Sequence, residues 1–129
     1  MIYIDGSVAL AQLLTQDHAL PETIWWQPLI SSRLLEYEVW NRIHARGLAR
    51  SHGDAARALI AGVALIELAA PVLARALEPY PVAVRTLDVL HLASIEFLRS
   101  RRQNVELASL DQRLTSPMRR RPAGCGAPW

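Results

Sequence analysis

Residues 85–94 read Arg-Thr-Leu-Asp-Val-Leu-His-Leu-Ala-Ser, which places a single carboxylate, Asp88, at the head of an apolar run. At about 100° per residue, apolar side chains surround the axis of this predicted helix on every side, and such a helix is buried. An ionised carboxylate inside a protein is costly unless a cation or strong hydrogen-bond donors meet it. We therefore expect Asp88 to be paired, protonated or bound to a metal ion.

The composition is that of one small domain. The chain has 129 residues, of which 51% are hydrophobic, enough for a single buried core. No apolar run approaches the ~20 residues of a membrane span, and the first residues lack the features of a secretory signal. The one cysteine, Cys125, cannot form an internal disulfide. We expect a cytoplasmic protein with no membrane segment.

The basic residues are unevenly distributed. All 14 are arginine, the formal net charge is +2, and seven of them follow residue 98: Arg99, Arg101, Arg102, Arg113, Arg119, Arg120 and Arg121. Arginine suits phosphate recognition. This end of the chain is therefore either an ordinary solvated basic surface or a contact for nucleic acid.

Predicted strands and helices alternate along the chain. Strands are expected at residues 2–4, 28–32, 63–68 and 105–108, and helices at 8–14, 33–46, 51–61, 71–78 and from 85 to about 98. A polar loop is expected at 99–104, and a short final helix at 113–118. Ser7 is a candidate N-cap of the first helix, and Ser51 to Asp54 form a candidate capping box. Alternation of this kind predicts an α/β fold, a three-layer α/β/α sandwich around a parallel sheet of four to five strands. Residues 1–118 form the predicted domain, and residues 119–129 a loose tail rich in Arg, Pro and Gly.

Acidic residues fall at related positions in this scheme. Asp5 follows the first strand, Asp111 follows the last, and Asp88 heads the buried helix. The second helix offers Glu36 or Glu38, and periodicity does not choose between them. Taken alone, Asp5 is better explained as a turn or capping residue. Together, carboxylates at one sheet edge suit Mg²⁺ or Mn²⁺, which can activate water for phosphate hydrolysis.

Other site chemistries are poorly supported. The chain has neither a glycine-rich phosphate loop nor the lysine that a phosphoreceiver domain needs. The histidines show no metal-ligand spacing, and His91 is expected to be a hydrogen-bonded core histidine that could touch Asp88. Cys125 lies in the predicted tail and is not a credible nucleophile.

Four segments resemble the motifs of PIN domains, and among these the VapC-type toxin ribonucleases of toxin–antitoxin pairs. They occur in the family's order: Ile-Tyr-Ile-Asp-Gly-Ser at 2–7, Ser-Arg-Leu-Leu-Glu-Tyr-Glu at 32–38, the stretch at 85–94, and Leu-Ala-Ser-Leu-Asp-Gln-Arg-Leu at 107–114. After the last motif the family usually continues to a final hydrophobic strand, whereas this chain runs into its Arg/Pro/Gly tail.

The resemblance implies a metal site and an activity. Its residues would be Asp5, Glu38, Asp88 and Asp111, so the resemblance selects Glu38 over Glu36. Small hydroxyl residues beside that site would be Ser7 and Ser109. The implied function is Mg²⁺- or Mn²⁺-dependent endonucleolytic cleavage of cellular RNA, tRNA or rRNA, by a toxin. Its implied partners are a cognate antitoxin and a second copy in a homodimer.

Two other hypotheses remain open at this point. The chain could be a non-catalytic PIN-like module that binds RNA or protein through its arginine-rich end. Alternatively, the acidic residues could be only helix caps and ion-pair partners.

Overall fold

Strands and helices alternate in the computed structural model, which describes residues 1–15 and 21–110. The strands are β1 (Ile2–Ile4), β2 (Leu29–Ser32), β3 (Val63–Ile66) and β4 (Glu106–Ala108). The helices are α1 (Gly6–Leu14), α2 (Leu34–Ala45), α3 (Ala49–Ala61), α4 (Ala70–Ala76) and α5 (Thr86–Ser100), with a 3₁₀ helix at Glu22–Trp26. The predicted α/β class is confirmed.

The four strands form one parallel sheet in the order β3-β2-β1-β4. From β1 the chain moves outward through β2 to β3, and it then returns to place β4 on the opposite side of β1. Ile4 pairs with Ala108, so β1 and β4 end level with each other. The strand order therefore reverses between these two neighbours.

One face of the sheet packs against α1, α2 and α3. Side chains alternate across a strand, and Ile2 and Ile4 of β1 belong to a core cluster with Val8 of α1 and with Leu35 and Val39 of α2. The same cluster includes Ala56 of α3. These three helices form the first helical layer.

The other face of the sheet packs against α5. Tyr3 points to this side and clusters with Ile30 of β2 and with Ile95 and Leu98 of α5. Residues 91–96 of α5 are all buried, as the apolar run predicts, and α4 packs on α5. The sheet therefore lies between two helical layers, which confirms the predicted three-layer sandwich.

Two predicted helix starts are wrong. Ser7 lies inside α1, and the N-cap is Asp5, whose side chain accepts a hydrogen bond from the Val8 amide. Ser51 does not start α3, because the helix already begins at Ala49 and the Ser51 hydroxyl donates to the Leu48 carbonyl. In both cases the serine lies inside the helix, after its first residue, and is therefore not at the N-cap position.

The predicted boundaries differ in smaller ways, and some predictions fall outside the described residues. Helix α5 continues to Ser100, into a region expected to be a loop, and β3 ends at Ile66. Asp111, the short helix expected at 113–118 and the tail at 119–129 lie outside the described residues. None of the helices in the described part of the chain is long and apolar enough to span a membrane.

Candidate functional site

Asp5 lies at the carboxyl end of β1, where it is almost fully buried, at 4% exposure. Its Oδ1 accepts hydrogen bonds from the Ser7 hydroxyl (2.6 Å) and from the Val8 amide (3.3 Å). Its Oδ2 accepts from the Ser109 hydroxyl, also over 2.6 Å. The capping role expected of an isolated aspartate is confirmed, but that role uses only Oδ1.

The surroundings of Asp5 have opposing effects on its charge. Burial raises the pKa of this carboxyl above its usual range, while the hydrogen bonds from the hydroxyls of Ser109 and Ser7 lower it. Burial disfavours the ionised form because water no longer solvates it, and donated hydrogen bonds favour that form. A divalent cation would favour it further.

Asp5 and Ser109 also mark a special point of the sheet. Asp5 follows β1 and Ser109 follows β4, the two neighbours between which the strand order reverses. In open α/β sheets, ligands bind beyond the carboxyl ends of the strands at such a reversal. The topology therefore selects the end of β1 as the candidate site.

Glu38 packs against this end of β1, and Glu36 does not. A Cβ atom added to Gly6 would lie 2.9 Å from Glu38 Cβ and 3.1 Å from its Oε2, so the glutamate fills the space beside Gly6. Glu36 instead forms a surface ion pair with Arg33, 3.1 Å long. The structure thus separates the two glutamates that periodicity leaves equivalent.

His91 joins Glu38 to the core. Its ring is fully buried, with Nε2 2.6 Å from Glu38 Oε1 and Nδ1 2.6 Å from the Tyr3 hydroxyl. The expected hydrogen-bonded core histidine is confirmed, although these partners were not predicted. Burial raises the pKa of Tyr3 to about 12, partly offset by hydrogen bonds with Ser32, Ser94 and Ser31. The contacts of His91 connect α5, α2 and β1.

Asp88 lies in the first turn of α5 and is half-buried, less enclosed than the apolar run suggests. His91 follows three residues later, and residues at that spacing share one side of a helix. Because His91 contacts Glu38, Asp88 belongs to the helix surface that faces the candidate site. Asp111, the fourth predicted ligand, lies outside the described residues.

The donor set that the structure brings together suits a hard cation. Within residues 1–15 and 21–110, no three His, Cys, Asp or Glu side chains form a ready metal cluster. Asp5 and Glu38 nevertheless supply carboxylate oxygens, the ligands that Mg²⁺ prefers. A carboxylate oxygen has two acceptor sites, and in the described part of the chain Asp5 Oδ2 uses one of them, for Ser109. The chemistry of these residues therefore fits Mg²⁺ or Mn²⁺, with Asp5 Oδ2 as the available oxygen.

An open cleft of about 590 Å³ lies beside Glu38. Its lining includes Tyr37 and Asn41 of α2 and Leu87 of α5, and Tyr37 is 72% exposed. An exposed aromatic ring is a platform on which an unpaired base can stack. The cleft therefore opens beside Glu38, with an exposed aromatic ring in its lining.

Comparisons of the sequence with protein-family models, with curated proteins and with solved structures find no match. A functional assignment therefore depends on the geometry of this site and on the four sequence motifs.

Proposed function

We propose that the protein is a metal-dependent endoribonuclease whose site lies at the carboxyl end of β1. The observation that carries the proposal is the setting of Asp5: a buried carboxylate at the reversal of the strand order, fixed by two serine hydroxyls, with Glu38 packed against the adjoining Gly6. Carboxylates gathered at one sheet edge repel one another unless a cation neutralises them. The order of the four PIN-like motifs supports the same activity.

The residues of this chain have separate tasks in the proposed reaction. Asp5 and Glu38, with Asp88 and Asp111, would hold Mg²⁺ or Mn²⁺. When bound, the cation supplies an activated water and neutralises charge on the scissile phosphate. Ser7 and Ser109 orient the Asp5 carboxylate by donating to its two oxygens. The cleft beside Tyr37 would bind an unpaired part of the RNA close to these acids.

We infer the biological role from the same resemblance. The protein would act as the toxin of a toxin–antitoxin pair, cleave tRNA or rRNA in the cytoplasm, and work as a homodimer until a cognate antitoxin binds it. Induced expression should arrest growth, and sequencing of RNA 5′ ends after induction should reveal discrete cleavage sites. Normal growth with an unchanged pattern of RNA ends would contradict this role.

The activity can be tested on the purified protein with single-stranded RNA and Mn²⁺. We expect cleavage that EDTA abolishes, and loss of cleavage in Asp5→Asn, Asp88→Asn and Glu38→Gln. Asp54→Asn is the control, because Asp54 is an exposed carboxylate of α3 that pairs with Arg57 and does not line the cleft. RNA binding without cleavage, unaffected by EDTA, would instead support a non-catalytic binding module.

A further inference from the structure

We propose that Tyr3 and His91 are positioning residues that hold the Glu38 carboxylate against the end of β1. The consequence for metal binding rests on the proposed function, whereas the positioning itself does not. Neither Tyr3 nor His91 would contact the RNA or the cation. They would affect metal binding only by positioning Glu38.

In a neutral His91 ring, the hydrogen-bond partners decide which nitrogen carries the hydrogen. A carboxylate only accepts hydrogen bonds, so the Nε2–H of His91 donates to Glu38 Oε1, at 2.6 Å. In the neutral ring Nδ1 is then an acceptor, and the Tyr3 hydroxyl donates to it over 2.6 Å. Tyr3 thereby selects the tautomer that presents a donor to Glu38.

The positions of the two rings are themselves constrained. Tyr3 and His91 are both fully buried, and their rings meet edge to face with centroids 5.6 Å apart. Tyr3 belongs to β1, which has a paired strand on each side. A rotation of the His91 ring would therefore break both of its hydrogen bonds within a packed core, so Nε2 is a fixed donor.

Gly6 bounds Glu38 on another side. The glutamate Cβ and Cδ lie 2.9 and 3.0 Å from the place that a Cβ on Gly6 would take. With Oε1 held by His91, Oε2 lies next to Gly6, 3.1 Å from that same place. Glu38 is thus confined between His91 and Gly6, and Oε2 is directed toward the residue that follows Asp5.

This arrangement resembles the outer-shell support that histidines and carboxylates give to metal ligands, whose removal typically lowers metal affinity by about 10- to 100-fold. A purely structural network would instead affect stability and leave Glu38 and metal affinity unchanged. The two roles therefore differ in measurable ways.

The test compares Tyr3→Phe, His91→Phe and His91→Gln with the wild type. One readout is the ¹³C carboxyl signal of Glu38 by NMR without metal, and the other is Mn²⁺ affinity by calorimetry. We expect a displaced Glu38 signal and about tenfold weaker Mn²⁺ binding in His91→Phe, with a smaller change in Tyr3→Phe. His91→Gln should partly restore the Glu38 signal and the Mn²⁺ affinity, because the glutamine amide can donate to Glu38 from the position of Nε2. Tyr80→Phe is the control, since the Tyr80 hydroxyl contacts Glu96.

The outcomes separate this proposal from the proposed function. If the Glu38 signal and Mn²⁺ affinity in Tyr3→Phe and His91→Phe match the wild type, the positioning role is wrong. If wild-type protein binds no Mn²⁺, the proposed function fails, and the Glu38 signal alone decides the positioning role. If His91→Phe does not fold, Tyr3→Phe decides by the same readouts.

Discussion

The Ser109 hydroxyl donates a 2.6 Å hydrogen bond to Oδ2 of Asp5 across 104 residues of sequence. Ser7 donates to the other oxygen of the same carboxylate and accepts a hydrogen bond from the Leu110 amide, at 3.0 Å. The ends of β1 and β4 are therefore connected through the group that we propose as a metal ligand. The orientation and the charge of Asp5 depend on both strands.

Mn²⁺ affinity should depend on pH through Asp5. Burial raises the pKa of Asp5, and a protonated carboxyl is a poor ligand. We expect affinity to fall as the pH decreases through this raised pKa, beginning above the usual range of an aspartate. Ser109→Ala removes a donor that lowers the pKa, so the loss should move to higher pH. Calorimetry at a series of pH values measures the Mn²⁺ affinity. The control is Ser51→Ala, because Ser51 is exposed. Identical pH profiles of Mn²⁺ affinity for Ser109→Ala and wild type would contradict the expectation.

Gly6→Ala should disturb the site and the fold together. The new Cβ would lie 2.9 Å from Glu38 Cβ, and that atom cannot move without shifting α2. We expect a loss of about 1–3 kcal/mol in the free energy of unfolding and weaker Mn²⁺ binding. Gly53→Ala is the control, because its Cβ would meet nothing closer than 3.6 Å and should be neutral or stabilising by about 0.5–1 kcal/mol. If Gly6→Ala and Gly53→Ala changed the free energy of unfolding in urea equally, Glu38 would not restrict the side chain at position 6.

Removing one partner of the ion pair between Arg75 and Glu96 should strongly lower the free energy of unfolding. The side chains are 25% and 8% exposed, and the Nε–Oε2 distance is 2.6 Å. Arg75→Met would leave a buried charge without its partner, which typically costs about 3–5 kcal/mol. The double variant with Glu96→Gln should recover part of that loss in urea unfolding. Arg57→Met, which breaks an exposed pair with Asp54, should cost at most about 1 kcal/mol. Additive losses in the double variant would mean that the two residues do not interact energetically.

Glu96→Gln should change how stability depends on pH. Burial raises the pKa of Glu96, although Arg75 lowers it. The folded state therefore retains this proton to higher pH than the unfolded state does. This stabilising contribution is complete below the usual glutamate pKa and is lost as the pH rises through the folded value. Because glutamine does not titrate, the stability of Glu96→Gln relative to wild type should rise over that window. A constant difference across a pH series of unfolding curves would show that the pKa of Glu96 is not raised.

Tyr37→Ala should weaken RNA binding without affecting Mn²⁺ binding. The ring is 72% exposed beside the cleft next to Glu38, and stacking on one base contributes about 1–3 kcal/mol. We expect at least fivefold weaker binding of single-stranded RNA, by that estimate, measured by fluorescence anisotropy in EDTA. Tyr37→Phe retains the ring and should bind like wild type. Unchanged affinity in Tyr37→Ala would exclude this surface as an RNA contact.

The strands could be predicted because each one coincides with a short apolar segment of the sequence. The apolar segments ending at Asp5, Ser32 and Ala108 form strands close to the expected positions, and alternation with helices predicted the layered fold. Helix starts were less predictable. Ser7 and Asp5 are both good capping residues, but α1 begins at Gly6, so Asp5 is the cap and Ser7 lies inside the helix.

The site was only partly predictable because its contacts join residues that are far apart in the sequence. On a helical wheel Glu36 and Glu38 both lie among apolar neighbours. The motif resemblance selected Glu38, and the contacts with Gly6 and His91 distinguish it in the structure. His91 was expected to be hydrogen-bonded, but its partners lie 53 and 88 residues away. A glycine directly after the strand-terminal Asp5 was the one available sign of a close approach. It did not identify the residue that approaches.

The pairing of β1 with β4 has a consequence for biosynthesis. Strand β1 emerges from the ribosome before its neighbour at Glu106–Ala108, which follows only after about a hundred further residues. Until then Asp5 lacks the Ser109 hydroxyl, and one side of β1 has no paired strand. A nascent chain therefore carries most of its helices before it carries a complete site. For the endoribonuclease that we propose, this order of synthesis would delay activity until β4 has left the ribosome.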